Sequence, residues 1–133
     1  MSGDNAPQNN ADQIKSEVLL ACNGAWNGHP YDPYPAGKPQ LSMIKLSLPA
    51  HTSLPWHIHP MPNIAYLVSG SLTVEDKESG ECHTFYAGQV INETVNSAHR
   101  GYTTDEPAEL LITYAGVEGQ ELSESLPGEP DEF

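Results

Sequence analysis

The tripeptide His57-Ile58-His59, set within Pro55-Trp56-His57-Ile58-His59-Pro60-Met61-Pro62, carries the strongest chemical signal in this chain. In an extended strand residues i and i+2 project from one face, so the two imidazoles share a side while Ile58 takes the other. Two ring nitrogens presented together can converge on one ion at bonds of about 2.0–2.1 Å, and a neighbouring strand must then complete the coordination sphere. His99 is the candidate for that third position. A His-x-His pair standing alone is more often two partly exposed strand histidines, so its meaning depends on its surroundings.

The elements that would position these histidines are β-strands. Twelve prolines and eleven glycines punctuate the 133 residues, leaving no room for a regular helical pattern beyond the first twenty-odd positions. From Leu41 onward Ile44, Leu46 and Leu48 alternate with Lys45 and Ser47, the period of a strand with one buried and one wet face. Segments 64–69, 71–76, 82–87, 89–95, 100–103 and 109–115 repeat that texture between Ser-Gly, Glu-Ser-Gly, Ala-Gly and Asp-Glu-Pro turn signals. Seven or eight short, evenly spaced strands predict an all-β sandwich or barrel. The length predicts one domain, divided into a disordered leader (1–12), an irregular N-terminal arm with an edge strand at Glu17–Cys22 (13–40), a barrel core (41–117) and an acidic, solvated C-terminal tail (118–133).

Against this strand pattern, the stretch from His57 to Gly70 resembles the first motif of the cupin superfamily: His-x-His, a glutamate three or four residues on, and a later glycine. His57, His59, Asn63 and Gly70 occupy those places. Ala87-Gly88-Gln89 running to His99 resembles the second motif, and the intervening Ser71–Ala87 hairpin fits the separation. The resemblance covers roughly residues 41–116. It implies a cupin-type β-barrel (a double-stranded β-helix, or jelly roll) whose interior holds a divalent metal through His57, His59 and His99. The chain departs from the pattern in three places. Asn63 stands where the family has its glutamate, His51 where the motif starts with glycine, and Thr94-Val95-Asn96 where a Pro-x-Gly turn is usual.

An amide oxygen is a neutral and weaker ligand than a carboxylate, so either three histidines hold the ion, with Asn63 at most a weak fourth ligand, or another acid serves. Glu93 is the acid on the segment leading to His99. Buried between Val90-Ile91 and Val95 it would need a cation or proton for balance, which makes it a candidate ligand or base. An outward, solvated Glu93 is an equal alternative until the register is known. Three histidines with an open position suit Fe, Mn, Ni, Cu or Zn. Such a site implies action on a small oxygen-bearing molecule, as a dioxygenase or an isomerase. The alternative is a barrel that binds or senses a small molecule or metal without chemistry.

Five basic against eighteen acidic residues, a net charge of −13, argue against nucleic acid, whose binding relies on Lys and Arg. No apolar run reaches the roughly 18 residues of a membrane span, so a soluble, cytoplasmic protein is expected, with the periplasm open if a signal was removed. Cys22 and Cys82 match no zinc or redox spacing and read as unpaired thiols. Trp56, next to the histidine pair, should face away from the ion. Tyr102 and Tyr114 are candidate hydrogen-bond donors to a substrate, while His29, His51 and His83 read as surface residues. The aromatic-rich arm of residues 23–39 suggests a homodimer in which it crosses a partner's sheet edge.

Overall fold

The computed structural model describes residues 11–131. After a short 3-10 helix at Ala11–Gln13, nine strands follow in chain order: β1 (Pro39–Leu48), β2 (His57–Ile58), β3 (Asn63–Ser69), β4 (Ser71–Asp76), β5 (Cys82–Tyr86), β6 (Val90–Asn92), β7 (His99–Tyr102), β8 (Ala108–Val117) and β9 (Glu124–Ser125). They form two antiparallel sheets, one ordered β1-β8-β3-β6 and the other β5-β4-β7-β2-β9. Among the described residues no helix is long and apolar enough to cross a membrane.

The period-2 pattern decides what each sheet buries. Along β8 Ala108, Leu110, Ile112 and Tyr114 are buried while the residues between them are partly exposed, and Asn63, Ala65 and Leu67 do the same on β3. Leu72 and Val74 answer from β4, and together with Leu48, Met61, Phe85 and Ile91 they make one core between the sheets. β1 and β8 pair over ten residues, from Pro39 opposite Val117 to Leu48 opposite Ala108. The chain passes from one sheet to the other between β3 and β4, where the ladder slips at Leu67/Ser69. Gly70 makes that turn with φ +80, and any Cβ there would collide with the Pro107 carbonyl. Glycine is therefore required.

Two expectations change at the ends of the chain, and a third cannot be compared. The expected leader lies outside the described residues except for Ala11 and Asp12 in the 3-10 helix. Glu17–Cys22 joins no ladder: Val18 and Leu19 stay exposed, and with Leu20 they lie beside Met43, Ile64 and Tyr66 on the outer face of the four-stranded sheet. The rest of the arm is anchored to β6, through Trp26 N–H to Asn92 O at 3.0 Å and Asn92 Nδ2 to Gly24 O at 2.8 Å. The acidic segment is not wholly a solvated tail: β9 lies within it and completes a sheet edge beside β2. Leu122 packs against the core, and that apolar contact outweighs the solvation of the acids around it.

Candidate metal centre

Short and bounded by prolines, β2 is held from both sides. Pro55 and Pro60 offer no N–H to a ladder, so regular pairing is confined to His57–Ile58. His57 pairs with His99 of β7 on one side and with Ser125 of β9 on the other. Directly opposed residues of an antiparallel pair project to the same face, and the His57 and His99 rings lie 4.4 Å apart. His59, two residues further on, joins them at 4.8 Å from His57 and 5.0 Å from His99. All three are buried. The structure thus brings together the three histidines singled out from spacing, with ligand atoms within 4.8 Å of one another.

Each ring is oriented through Nδ1. His57 Nδ1 lies 2.8 Å from Pro55 O and His59 Nδ1 lies 2.8 Å from Leu122 O. His99 Nδ1 contacts Ser97 O at 3.0 Å and Thr94 Oγ1 at 2.7 Å. The Thr94 hydroxyl donates to Ser97 O at 2.9 Å, so toward His99 it accepts. Carbonyl acceptors at Nδ1 place the proton there and turn Nε2 inward as the coordinating atom. Two donors at about 2.1 Å from one ion stand roughly 3.0 Å apart at right angles and 4.2 Å apart when opposed. The triad therefore needs only a small inward movement to close on an ion.

Glu93 faces inward, just beyond β6, with Oε2 2.7 Å from His99 Nε2 and its side chain 13% exposed. Since Nδ1 of His99 already bears a proton, this contact requires either a second proton on the ring or a cation shared by the two atoms. Burial works to raise the Glu93 pKa, but the His99 imidazole and its hydrogen bond, followed by His59 and His57, hold it down at about 2. His59 is lowered to about 3 by burial and by the neighbouring His99 and His57, which keeps it neutral and fit to coordinate at pH 7. Asn63 is buried with Nδ2 donating to Met61 O at 3.2 Å, while its Oδ1 has no hydrogen-bond donor. The donor set fits a transition metal: imidazole nitrogens, one carboxylate, and an unsatisfied amide oxygen.

His57, His59, Asn63 and Glu93 line a cavity of about 20 Å³, walled otherwise by apolar side chains including Leu46, Leu54, Leu72 and Ile112. Tyr114 also faces it, with its ring 5.5 Å from His59, whereas Tyr102 lies outside its walls in a surface recess with His51 and Arg100. Trp56, just before β2, carries the Arg100 guanidinium at 4.3 Å and the Lys77 ammonium at 4.9 Å from its ring, outside the cavity. His51 and His83 are exposed and His29 is half-buried; none joins the cluster. Cys22 and Cys82 are free, exposed thiols. Sequence reasoning passed over the orienting groups, Leu122 O and the Thr94 and Ser97 oxygens. A threonine five residues before a ligand histidine is a readable signal; a backbone carbonyl 63 residues away in sequence is not.

No family model and no curated sequence matches the chain. Solved structures do resemble it. DMSP lyase DddQ from Ruegeria pomeroyi DSS-3 superposes with a TM-score of 0.59 at 20% identity, over 68% of this chain and 45% of that one. A Cupin 2 conserved barrel domain protein from Salinispora arenicola CNS-205 gives 0.52 at 20% identity, over 63% and 70%. An RmlC-like cupin from Shewanella frigidimarina NCIMB 400 gives 0.51 at 18% identity, over 59% and 68%. The fold is the cupin fold. Side chains of both sheets line the cavity with His57 and His59. The chain spans less than half the length of the DMSP lyase, so the cupin likeness concerns architecture.

Proposed function

We propose that this cupin-fold domain holds one divalent transition metal through His57, His59 and His99, with Glu93 as fourth ligand, and acts on a small oxygen-bearing molecule. The observation that carries this reading is the 2.7 Å approach of Glu93 Oε2 to His99 Nε2 in a ring whose other nitrogen is already committed to acceptors. Glu93 serves better as ligand than as base, because its Oε2 stands 2.7 Å from His99 Nε2, inside the histidine cluster itself. Fe, Mn, Ni, Cu and Zn all suit the donor set.

When bound, such an ion polarises an oxygen ligand or lowers the pKa of a bound water. The protein's own groups supply the rest. Asn63 Oδ1 offers an acceptor to a hydroxyl or water beside the ion, or acts as a weak ligand in its own right, and the Tyr114 phenol faces the same cavity. Apolar walls exclude solvent and strengthen each of these contacts. Dioxygenation and isomerisation both fit, and the likeness to a DMSP lyase adds elimination to that set. A second reading, a domain that binds metal or a very small ligand without turnover, is favoured by the roughly 20 Å³ of space, enough for about one water beside an ion.

Elemental analysis of purified wild type, His57→Ala and Glu93→Ala tests the centre. Near-stoichiometric metal in wild type, lost in His57→Ala and reduced in Glu93→Ala, is expected; full retention in His57→Ala refutes it. Turnover of catechols, keto acids or hydroxyketones by the loaded protein then separates enzyme from binding module.

We also propose a homodimer, formed on the outer face of the four-stranded sheet. Leu41 and Met43 are 84% and 63% exposed there, beside Ile64, Tyr66 and Val68. In a chain of net charge −13 the charges this face carries, Lys45 and Glu109, neutralise each other at 3.5 Å, so a second copy meets least repulsion here. Ten-residue strands make the sheet roughly 30 by 15 Å, or about 450 Å². The exposed arm residues Ile14, Val18 and Leu19 extend it toward the ~800 Å² per partner of a standard interface. A monomeric mass by light scattering at micromolar concentration would overturn this, and Met43→Glu should dissociate the dimer.

A further inference from the structure

Residues 118–131 contain five acids, Glu118, Glu121, Glu124, Glu129 and Asp131, a composition that by itself predicts a solvated tail. Glu118 meets Lys38, but residues 122–129 meet one short stretch of chain. Trp56 donates its N–H to Glu129 Oε1 at 2.9 Å and accepts at its carbonyl from Leu126 N–H at 3.1 Å. His57 pairs with Ser125 and Ile58 with Glu124. His59 donates from Nδ1 to Leu122 O at 2.8 Å. Every residue from 56 to 59 is thus fastened to the C-terminal segment, including both histidines of the His-x-His pair.

On its other side β2 has one cross-strand pair, His57 with His99, and His59 O accepts from Asn96 N–H at 2.9 Å. The C-terminal segment therefore supplies a large share of the bonds that fix the strand's register, and a slip of one residue would turn every side chain to the opposite face. Leu122 O does more than hold position: it selects the tautomer that leaves His59 Nε2 as the coordinating atom.

We infer that residues 122–129 form a clamp that positions the metal-binding strand, with Leu122 O orienting His59 and Glu129 latching Trp56, so that metal affinity depends on the docking of this segment. The inference rests on the metal reading above. It regulates the same centre: whatever lifts the segment weakens the grip on the ion without touching a ligand. The roles are positional, and Glu129 itself does not face the cavity.

The test uses full-length protein titrated with Co(II) alone, read by visible absorption and chelator competition. Its companion readout is 15N NMR of the imidazoles in chelator-treated protein. Leu126→Pro, which removes the N–H donated to Trp56 O at 3.1 Å, should weaken Co(II) binding roughly 10- to 100-fold and shift His59 away from the Nδ1–H tautomer. Glu129→Ala should lose roughly five- to tenfold, and Glu129→Gln, which keeps an acceptor oxygen, should recover most of that. Unchanged affinity and an unchanged His59 tautomer in both Leu126→Pro and Glu129→Ala overturn the clamp. If Leu126→Pro does not fold, as judged by circular dichroism, the Glu129 pair decides. Wild type that binds no Co(II) overturns the metal reading instead, and the His59 tautomer in Glu129→Ala still decides the clamp.

Discussion

Acid should destabilise this protein before its carboxylates protonate, and His59 is the residue responsible. Its pKa is lowered from 6.5 to about 3 in the folded state, so between those values the unfolded chain takes up a proton that the folded chain refuses. The unfolded state then binds more protons, and stability falls with falling pH through that window; it is fully present above pH 6.5. Each pH unit inside the window costs about 1.4 kcal/mol. From pH 6.5 to 4.5 the loss is therefore about 3 kcal/mol, a large share of the ~5–15 kcal/mol that holds a typical domain together. Glu93, lowered from 4.5 to about 2, acts in the same direction but only below pH 4.5, so the upper window isolates His59. Urea unfolding followed by circular dichroism at pH 7.5 and 4.5, with chelator present, measures the difference for wild type and His59→Gln. Wild type should lose about 3 kcal/mol more than the variant. A difference under about 1 kcal/mol would show that the burial and the neighbouring imidazoles do not suppress His59 protonation, and the reasoning would fall.

Thr94→Val removes the oxygen 2.7 Å from His99 Nδ1 while Ser97 O remains; we expect a stability loss of about 1–3 kcal/mol and roughly tenfold weaker metal binding by chelator competition. Gly70→Ala places a Cβ against the Pro107 carbonyl at a φ of +80, and a cost above about 3 kcal/mol, or a Tm lower by roughly 10 °C, should appear in a thermal melt. Arg100→Ala removes both the stack on Trp56 at 4.3 Å and the 3.0 Å bond to Glu75; it should cost about 1 kcal/mol and shift tryptophan emission while leaving metal content unchanged.

The strands were legible because one face of each is buried and alternation records that directly: β1, β3, β4 and β8 lie where their apolar period places them. His57 and His59 were legible for the same reason, since i and i+2 share a face in any extended chain. Their pairing with His99 was not contained in the alternation, because register depends on partners far away in sequence; motif spacing supplied it. Glu93 remained open between an inward and an outward facing for that reason. The docking of residues 122–129 was hidden more deeply. It depends on backbone hydrogen bonds to residues 56–59, on one leucine and on one glutamate among many, and none of these leaves a compositional trace among so many acids. Glu17–Cys22 shows the converse: strand-like apolar composition without a ladder to join.

The pairing of β1 with β8 has a consequence for how the protein is made. Its partners are separated by 60 residues at the closest, Leu48 with Ala108, and by 78 at the farthest, Pro39 with Val117. At a synthesis rate of about 5–20 residues per second, β1 waits several seconds on the ribosome before the strand it needs has been translated. In that interval Ile44, Leu46 and Leu48 are without their covering, and an extended apolar segment in that state invites pairing with a neighbouring nascent chain. The prolines at either end of β1, Pro39 and Pro49, and Lys45 within it then act as gatekeepers of biogenesis, limiting the length over which a stranger could zip.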